Sequence, residues 1–262
     1  MKNVVITGST RGIGLCMAEE FLKAGCSVTV SGRGKNISGV LNEELSAFKD
    51  NYTYTACDVS KAEDVEKLWE TSKKKWGSID IWINNAGQNC PFEYCYNTQS
   101  SYVDSLIDTN IKGMIYGSQI AAANMVEAGY GQIWNMEGLG SNGMIQEKTI
   151  IYGMSKQALT YFTRALAKEL KETGVLAGRL SPGMMLTDFI TKTPDGDDSP
   201  VVKEKSFRFV FNALADRPET VARFFIPKIL ANKKNNAQIA WLTTPKTIWR
   251  FATASFKKDR LI

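Results

Sequence analysis

Histidine is absent from all 262 residues of this chain. Its absence removes Ser-His-Asp and Cys-His catalysis and most zinc sites, all of which lean on imidazole. Cysteine is sparse. Cys16, Cys26, Cys57, Cys90 and Cys95 form no CxxC pair, and their odd number and irregular spacing fit reduced thiols in a cytosol-like compartment. Cys90 and Cys95 flank a short loop, which leaves a redox pair open beside two plain thiols. No apolar run is long enough to span a bilayer, and "MKNVVITG" reads as strand at once, with no signal or transit segment. The expectation is a soluble cytoplasmic protein. Charge of one sign is also scarce: a formal net charge of +5 suits an anionic cofactor and is too small to indicate nucleic acid.

What is present is an alternation. Short apolar runs at Val4–Thr7, Val28–Ser31, Tyr52–Ala56, Ile81–Asn84, Gln132–Met136, Val175–Leu180 and Ala237–Leu242 read as strands. Helical patterns lie between them, at Gly14–Ala24, Ala62–Trp76, Leu106–Glu127 and Tyr152–Thr173. Strands this short and this apolar belong to a parallel sheet covered on both faces. Right-handed crossovers then predict an α/β chain, one doubly wound Rossmann-like domain over residues 1–262 with about seven strands. The loop "TPDGDDSP" at Thr193–Pro200 is an exposed turn, either part of a lid spanning residues 193–216 or a tolerated surface loop. "FRFVFNAL" at Phe207–Leu214 is too aromatic for an exposed loop and reads as a pocket cover or a subunit contact. The tail over residues 246–262 mixes Trp249, Phe251 and Phe256 with Arg250, Lys257, Lys258 and Arg260. A subunit or intrachain contact is favoured there over a membrane surface, because the apolar stripe is short.

The first strand runs into "TGSTRGIG", which holds Gly8, Thr10, Arg11, Gly12, Ile13 and Gly14. Glycines let the backbone turn tightly against a pyrophosphate, and the helix that follows offers free N–H groups and a positive dipole end. The Gly-xxx-Gly-x-Gly spacing is wider than the common dinucleotide fingerprint. After the second strand an NAD enzyme carries an acid for the ribose hydroxyls. Here "VSGRGK" has Arg33 and Lys35 and no acid, and Arg11 lies in the glycine turn. Guanidinium groups suit a 2′-phosphate, so NADPH is expected over NADH. Asp58 in "CDVS" either bonds the adenine, beside Val59, or caps the next helix.

Tyr152 and Lys156 stand four apart on one helix face. A phenol near pKa 10 is a poor acid, and a neighbouring ammonium lowers that value by favouring the phenolate. Tyr152 then donates a proton to a carbonyl oxygen while NADPH delivers hydride to its carbon.

These features sit among others. "NNAG" at Asn84–Gly87, "TNIKG" at Thr109–Gly113, "YGMSK" around the tyrosine and "SPGMMLT" at Ser181–Thr187 complete a set that resembles the short-chain dehydrogenase/reductase family over nearly the whole chain. The resemblance implies that Asn85, Ala86 and Gly87 border the cofactor and that Asn110 holds a water in a relay with Lys156. It implies that Lys156 also bonds the nicotinamide ribose and that Pro182, Gly183 and Thr187 line the nicotinamide end. It further implies a homo-oligomer, a dimer or tetramer. Helix caps and turns explain Asn110, Thr187 and Pro182–Gly183 as well.

Many members of this family carry a serine thirteen positions before the tyrosine. Counting back from Tyr152 gives Leu139, and aligning on the strand gives Gly138. Neither has a hydroxyl. An oxyanion in a dry pocket needs donors, so Ser141 is expected to turn inward and replace it, with backbone N–H groups of Gly138 to Gly140 as the alternative. The loop "NMEGLGS", eleven residues before "YGMSK", resembles that of chlorophyll b reductases, as do "LSPGMMLTDFI", Phe211–Ile229 and "IAWLTTPKTIWRF". That likeness implies reduction of a formyl group on a chlorin ring to a hydroxymethyl group. Glu137 is either a salt-bridged strand end or a group that orients Ser141 or meets a polar substrate substituent. Met144, Met184 and Phe189 are expected to flank a large apolar substrate. The alternatives are a reductase of steroids or other bulky apolar ketones, and a nucleotide-binding scaffold without catalysis.

Overall fold

The computed structural model describes residues 1–254 and 261–262. Phe256, Lys257, Lys258 and Arg260 of the tail lie outside the described residues. Seven strands, β1 (Asn3–Ile6), β2 (Ser27–Gly32), β3 (Tyr52–Ala56), β4 (Ile81–Asn84), β5 (Gly131–Met136), β6 (Val175–Ser181) and β7 (Ala237–Ala240), form one sheet in the order β3-β2-β1-β4-β5-β6-β7. Every neighbouring pair is parallel. The doubly wound α/β reading is therefore borne out.

The helices are α1 (Gly12–Lys23), α2 (Gly39–Glu44), α3 (Ala62–Trp76), α4 (Ser100–Ile107), α5 (Gly113–Ala128), α6 (Ile150–Glu169), α7 (Asp188–Thr191), α8 (Lys205–Leu214), α9 (Pro218–Ala231) and α10 (Thr244–Ala252). Strands such as β1 and β4 are buried end to end, as a sheet covered on both faces requires. On one face Met17 and Phe21 of α1 meet Phe225, Ile226 and Ile229 of α9 above Val4, Ile6 and Val28. On the other, Leu68 and Trp69 of α3, Ala121 and Met125 of α5 and Ala167 of α6 cover Val5, Trp82 and Ile133. Chain order reverses between β1 and β4, so a crevice opens at their carboxyl ends. The loops after β1 and β4 both enter it.

One helix departs from the sequence expectation. The pattern over Leu106–Glu127 is broken by a π-helical turn at Asp108–Lys112 that joins α4 to α5. The wider turn carries Asn110, and its side chain makes three hydrogen bonds that hold the distortion in place. Such turns recur where a side chain must be aimed off the regular ladder.

"FRFVFNAL" folds as α8, with Phe211 fully buried and Phe209 exposed against Phe251 of α10. In α10 Ile248 and Trp249 face outward, whereas Arg250 turns in to Asp216. All five cysteines are free, and burial pushes the Cys90 thiol up to about 11, which disfavours a redox pair with Cys95. Among the described residues no helix is long and apolar enough to cross a membrane.

Phe225 is fully buried where α9 crosses α1. Phe225→Ala should lose about 3–5 kcal/mol of stability, read as a lower urea midpoint at unchanged slope.

Candidate active site

The crevice is built first by glycine. The chain leaves β1 through Gly8 and Gly12, both at positive φ, +62° and +57°. A Cβ on Gly8 would lie 2.7 Å from the Ala86 Cα, and one on Gly14 would lie 2.5 Å from both the Gly8 carbonyl oxygen and Asn85 Nδ2. Gly12 faces open space, with only the Thr187 methyl near, at 3.7 Å from its Cβ position. Thr7 Oγ1 accepts the N–H groups of Asn85 and Ala86, each at 3.0 Å. Asn85 Nδ2 donates back to the Thr7 and Gly8 carbonyls at 2.9 Å. The two loops are thus clasped into one floor. Above it α1 begins without a side-chain cap and without an acid in its first turn. Its free N–H groups and dipole end favour an anion there.

Tyr152 and Lys156 come from the first two turns of α6, and both are buried. Lys156 Nζ donates to the Met136 carbonyl at 3.0 Å and lies 5.7 Å from the centre of the Tyr152 ring. The Tyr152 ring packs on Phe189 with centroids 5.6 Å apart. No described residue hydrogen-bonds its hydroxyl. Asn110 Oδ1 accepts the Gln88 N–H at 2.7 Å, and its Nδ2 donates to the Gln88 carbonyl at 2.9 Å and to Ser155 Oγ at 3.1 Å. A Cβ on Gly87 would sit 3.6 Å from Asn110 Oδ1 and 3.8 Å from Lys156 Nζ. These groups therefore share one small volume at the mouth of the sheet.

The family model "short chain dehydrogenase" matches residues 2–198. This chain belongs to the short-chain dehydrogenase family. The family is one of oxidoreductases. "Probable chlorophyll(ide) b reductase NYC1, chloroplastic" of Oryza sativa subsp. japonica is 34% identical across 99% of this chain and 53% of that protein. "Chlorophyll(ide) b reductase NOL, chloroplastic" of Arabidopsis thaliana is 33% identical across 87% of this chain and 65% of that protein. The dehydrogenase thus spans about half to two thirds of the length of these curated relatives. Among solved structures, ElxO with NADP bound is 27% identical with a TM-score of 0.79, covering 91% of this chain and 96% of that one. Serine dehydrogenase complexed with NADP+ is 25% identical with a TM-score of 0.77, covering 90% and 94%.

The residues present fit a dinucleotide. Gly12 leaves space under the α1 N-terminus, and Thr187 stands opposite it. Pro182 is buried, and Gly183, at φ +72°, packs against Leu242. At the adenosine side Thr10 touches Gly32, and the Tyr54 phenol donates to the carbonyls of Gly32 and Gly34, which brackets Arg33. Tyr54 was not singled out from the sequence. Arg33 is exposed, and Arg11 is 76% exposed with only a 3.7 Å ion pair to Asp188. Both guanidinium groups face solvent. Asp58 Oδ1 accepts from the Ser60 N–H and hydroxyl in the turn ahead of α3, so it does not cap that helix, whose N-cap Lys61 has no side-chain cap; Val59 packs under Gly113.

Two sequence expectations need correction. Ser141 does not present its hydroxyl to the phenol. Its Oγ accepts the Gly138 N–H at 3.1 Å and donates to the Lys156 carbonyl at 3.3 Å, so its proton is spent inside the loop. The residue beside the phenol is Gly138, where any Cβ would collide with the Tyr152 hydroxyl. For Glu137 the salt-bridged alternative holds, and the substrate-facing one does not. Its side chain is 1% exposed and is enclosed by Arg179, Gln238 and Thr160. Of the apolar positions, Phe189 lies on the Tyr152 ring, Met184 is half-buried, and Met144 stands 58% exposed.

The electrostatics also differ from expectation. Burial raises the Tyr152 pKa. Burial likewise draws the Lys156 ammonium down to about 8, while Glu137 pulls it back up. Desolvation penalises the charged form of each.

Gly14→Ala places its methyl against Gly8 and Asn85. Nicotinamide dinucleotide affinity, followed by fluorescence titration, should fall at least about tenfold, because the turn must open to admit the group.

Proposed function

We propose that this short-chain dehydrogenase is an NADPH-dependent carbonyl reductase, with Tyr152 as the proton donor. The observation that carries the reading is the buried phenol itself. Its hydroxyl is unpaired, sits beside Gly138 and shares its pocket with the Lys156 ammonium and Asn110. A neutral phenol with a free O–H holds a carbonyl oxygen by hydrogen bond and passes its proton to that oxygen as charge develops. A dihydronicotinamide held in this cleft would supply the hydride to the carbonyl carbon. Lys156 gives the site positive charge and meets the cofactor ribose, Asn110 serves the proton relay, and Phe189 orients the phenol ring. Ser141 acts as a positioning residue that shapes the turn holding Gly138 against Tyr152. The rest of the proposed cofactor wall is Gly8, Thr10, Arg11, Gly12, Ile13, Gly14, Asn85, Ala86, Gly87, Pro182, Gly183 and Thr187.

For substrate we read a formyl group on a chlorin-type macrocycle. Support comes from the likeness to chlorophyll(ide) b reductases along 99% of the chain. It comes also from aromatic side chains in the loop after β4. Phe92 and Tyr94 hold the Lys148 ammonium at 5.2 and 5.3 Å, and Tyr94 stacks on Tyr96. Flat apolar faces with one cation suit a large ring that bears acidic substituents. Family likeness also carries our reading of a homo-oligomer.

A panel of formyl chlorins and bulky steroid ketones, assayed by NADPH oxidation, tests the assignment. Turnover should be confined to the chlorins and should fall about 100- to 10,000-fold in Tyr152→Phe with cofactor affinity retained. Preference for the ketones would overturn the substrate class, and full activity in Tyr152→Phe would overturn the donor. For the cofactor, replacing Arg11 and Arg33 by alanine should weaken NADPH binding about tenfold or more and leave NADH binding nearly unchanged.

A further inference from the structure

Glu137 is the one acid at the end of the strand that leads into the site, and it never reaches solvent. Its Oε2 accepts from Gln238 Nε2 on β7 at 2.7 Å. Its Oε1 accepts from the Thr160 hydroxyl at 3.3 Å and lies 3.5 Å from Arg179 Nη1 on β6. The Thr160 hydroxyl also lies 3.2 Å from the carbonyl of Lys156 itself. Lys156 Nζ is bonded to the carbonyl of Met136, the residue just before Glu137. The carboxylate is therefore tied to the lysine through the backbone of β5 and through one turn of α6.

We propose that Glu137 is a positioning residue of this site: its buried carboxylate joins the end of β5 to the Lys156 turn of α6 and holds that lysine beside Tyr152.

The need for a carboxylate there follows from burial. An ammonium taken out of water loses its hydration, and a single carbonyl at 3.0 Å replaces little of it. The groups that face Lys156 are few. Around its ammonium lie the Tyr152 ring on α6, the Met136 carbonyl of β5 and Gly87 of the loop after β4; around its backbone carbonyl lie the hydroxyls of Ser141 and of Thr160, the latter also bonded to Glu137. Arg179 on β6 is the cation bound to that carboxylate. Glu137 is the anion whose field acts on the lysine, and it acts against desolvation. An ion pair kept only for stability would be replaceable by apolar groups at little cost. Here the carboxylate has a second task, since removing it leaves Lys156 facing burial without an opposing charge. The inference rests on the proposed role of Lys156 and extends it.

The test uses the full chain labelled with 13C-lysine, with the Lys156 Cε resonance assigned by its loss in Lys156→Met. In the wild type this signal should titrate near pH 8. In Glu137→Gln it should titrate with a proton affinity about tenfold lower or more. Glu137→Asp should stay closer to the wild type. A purely structural role is separated by a second variant. Glu137→Gln combined with Arg179→Gln removes both charges, so thermal stability should recover while the Lys156 titration stays low. That double variant also carries the measurement if Glu137→Gln alone does not fold. A Lys156 signal that titrates at the wild-type pH in either folded variant overturns the proposal. The titration needs no substrate, so its outcome is independent of the carbonyl panel. Chlorin turnover with an unmoved titration would sink this inference and leave the proposed function standing.

Discussion

Three side chains of α6 are bound to three successive residues at the end of β5, and the geometry of the site depends on that clasp. Thr163 Oγ1 accepts from Asn135 Nδ2 at 2.8 Å, Lys156 Nζ donates to the Met136 carbonyl at 3.0 Å, and Thr160 donates to Glu137 at 3.3 Å. The bonds run along the helix at intervals of three and four residues, so they occupy one face. A strand with little freedom therefore sets the rotation and height of the helix. Tyr152, one turn before Lys156, is carried to the carboxyl end of the sheet. The same strand is braced from the other side, because Asn84 Nδ2 on β4 donates to Asn135 Oδ1 at 2.7 Å.

This clasp has an electrostatic cost. It buries an ammonium and a phenol together, and burial disfavours the charged form of both. The site answers with groups of fixed position: a carbonyl, a carboxylate and the polar atoms of Asn110 and Ser155. Fixed dipoles need no rearrangement when charge develops nearby. The absence of a side chain at Gly138 belongs to the same design. The phenol hydroxyl occupies the space a Cβ would need, and the Ser141 hydroxyl is used to tie the turn together.

The opposite wall is built from longer-range contacts. Tyr102 on α4 hydrogen-bonds Asp195 of the loop that follows α7, and that loop closes on itself through Lys192 and Asp198. The loop therefore reaches back to an element ninety-three residues earlier. Phe189, from α7 beside this loop, covers the Tyr152 ring. The segment beyond Ser181 thus forms one side of the crevice, and the loop after β4 with α4 forms the other.

Much of this was legible in the chain itself. Buried parallel strands must be short and apolar throughout, so the runs at Val4, Val28, Ile81 and Val175 marked the sheet, and the alternation with helices set its winding. The glycine turn and the Tyr152–Lys156 pair were legible because backbone freedom and helical spacing are local properties. Hydroxyl direction and carboxylate partners are nonlocal. Whether Ser141 or Gly138 faces the phenol depends on how a glycine-rich loop closes, and several closures are compatible with the same residues. Glu137 found Arg179, Gln238 and Thr160 only when β6, β7 and α6 were laid beside β5, across separations of up to 101 residues. Likewise Asn110 distorted its helix because Gln88 and Ser155 offered partners that no helical pattern encodes. Local periodicity determined the scaffold, whereas tertiary packing decided which polar atoms meet inside it, because buried polar groups are satisfied by whatever the fold brings within reach.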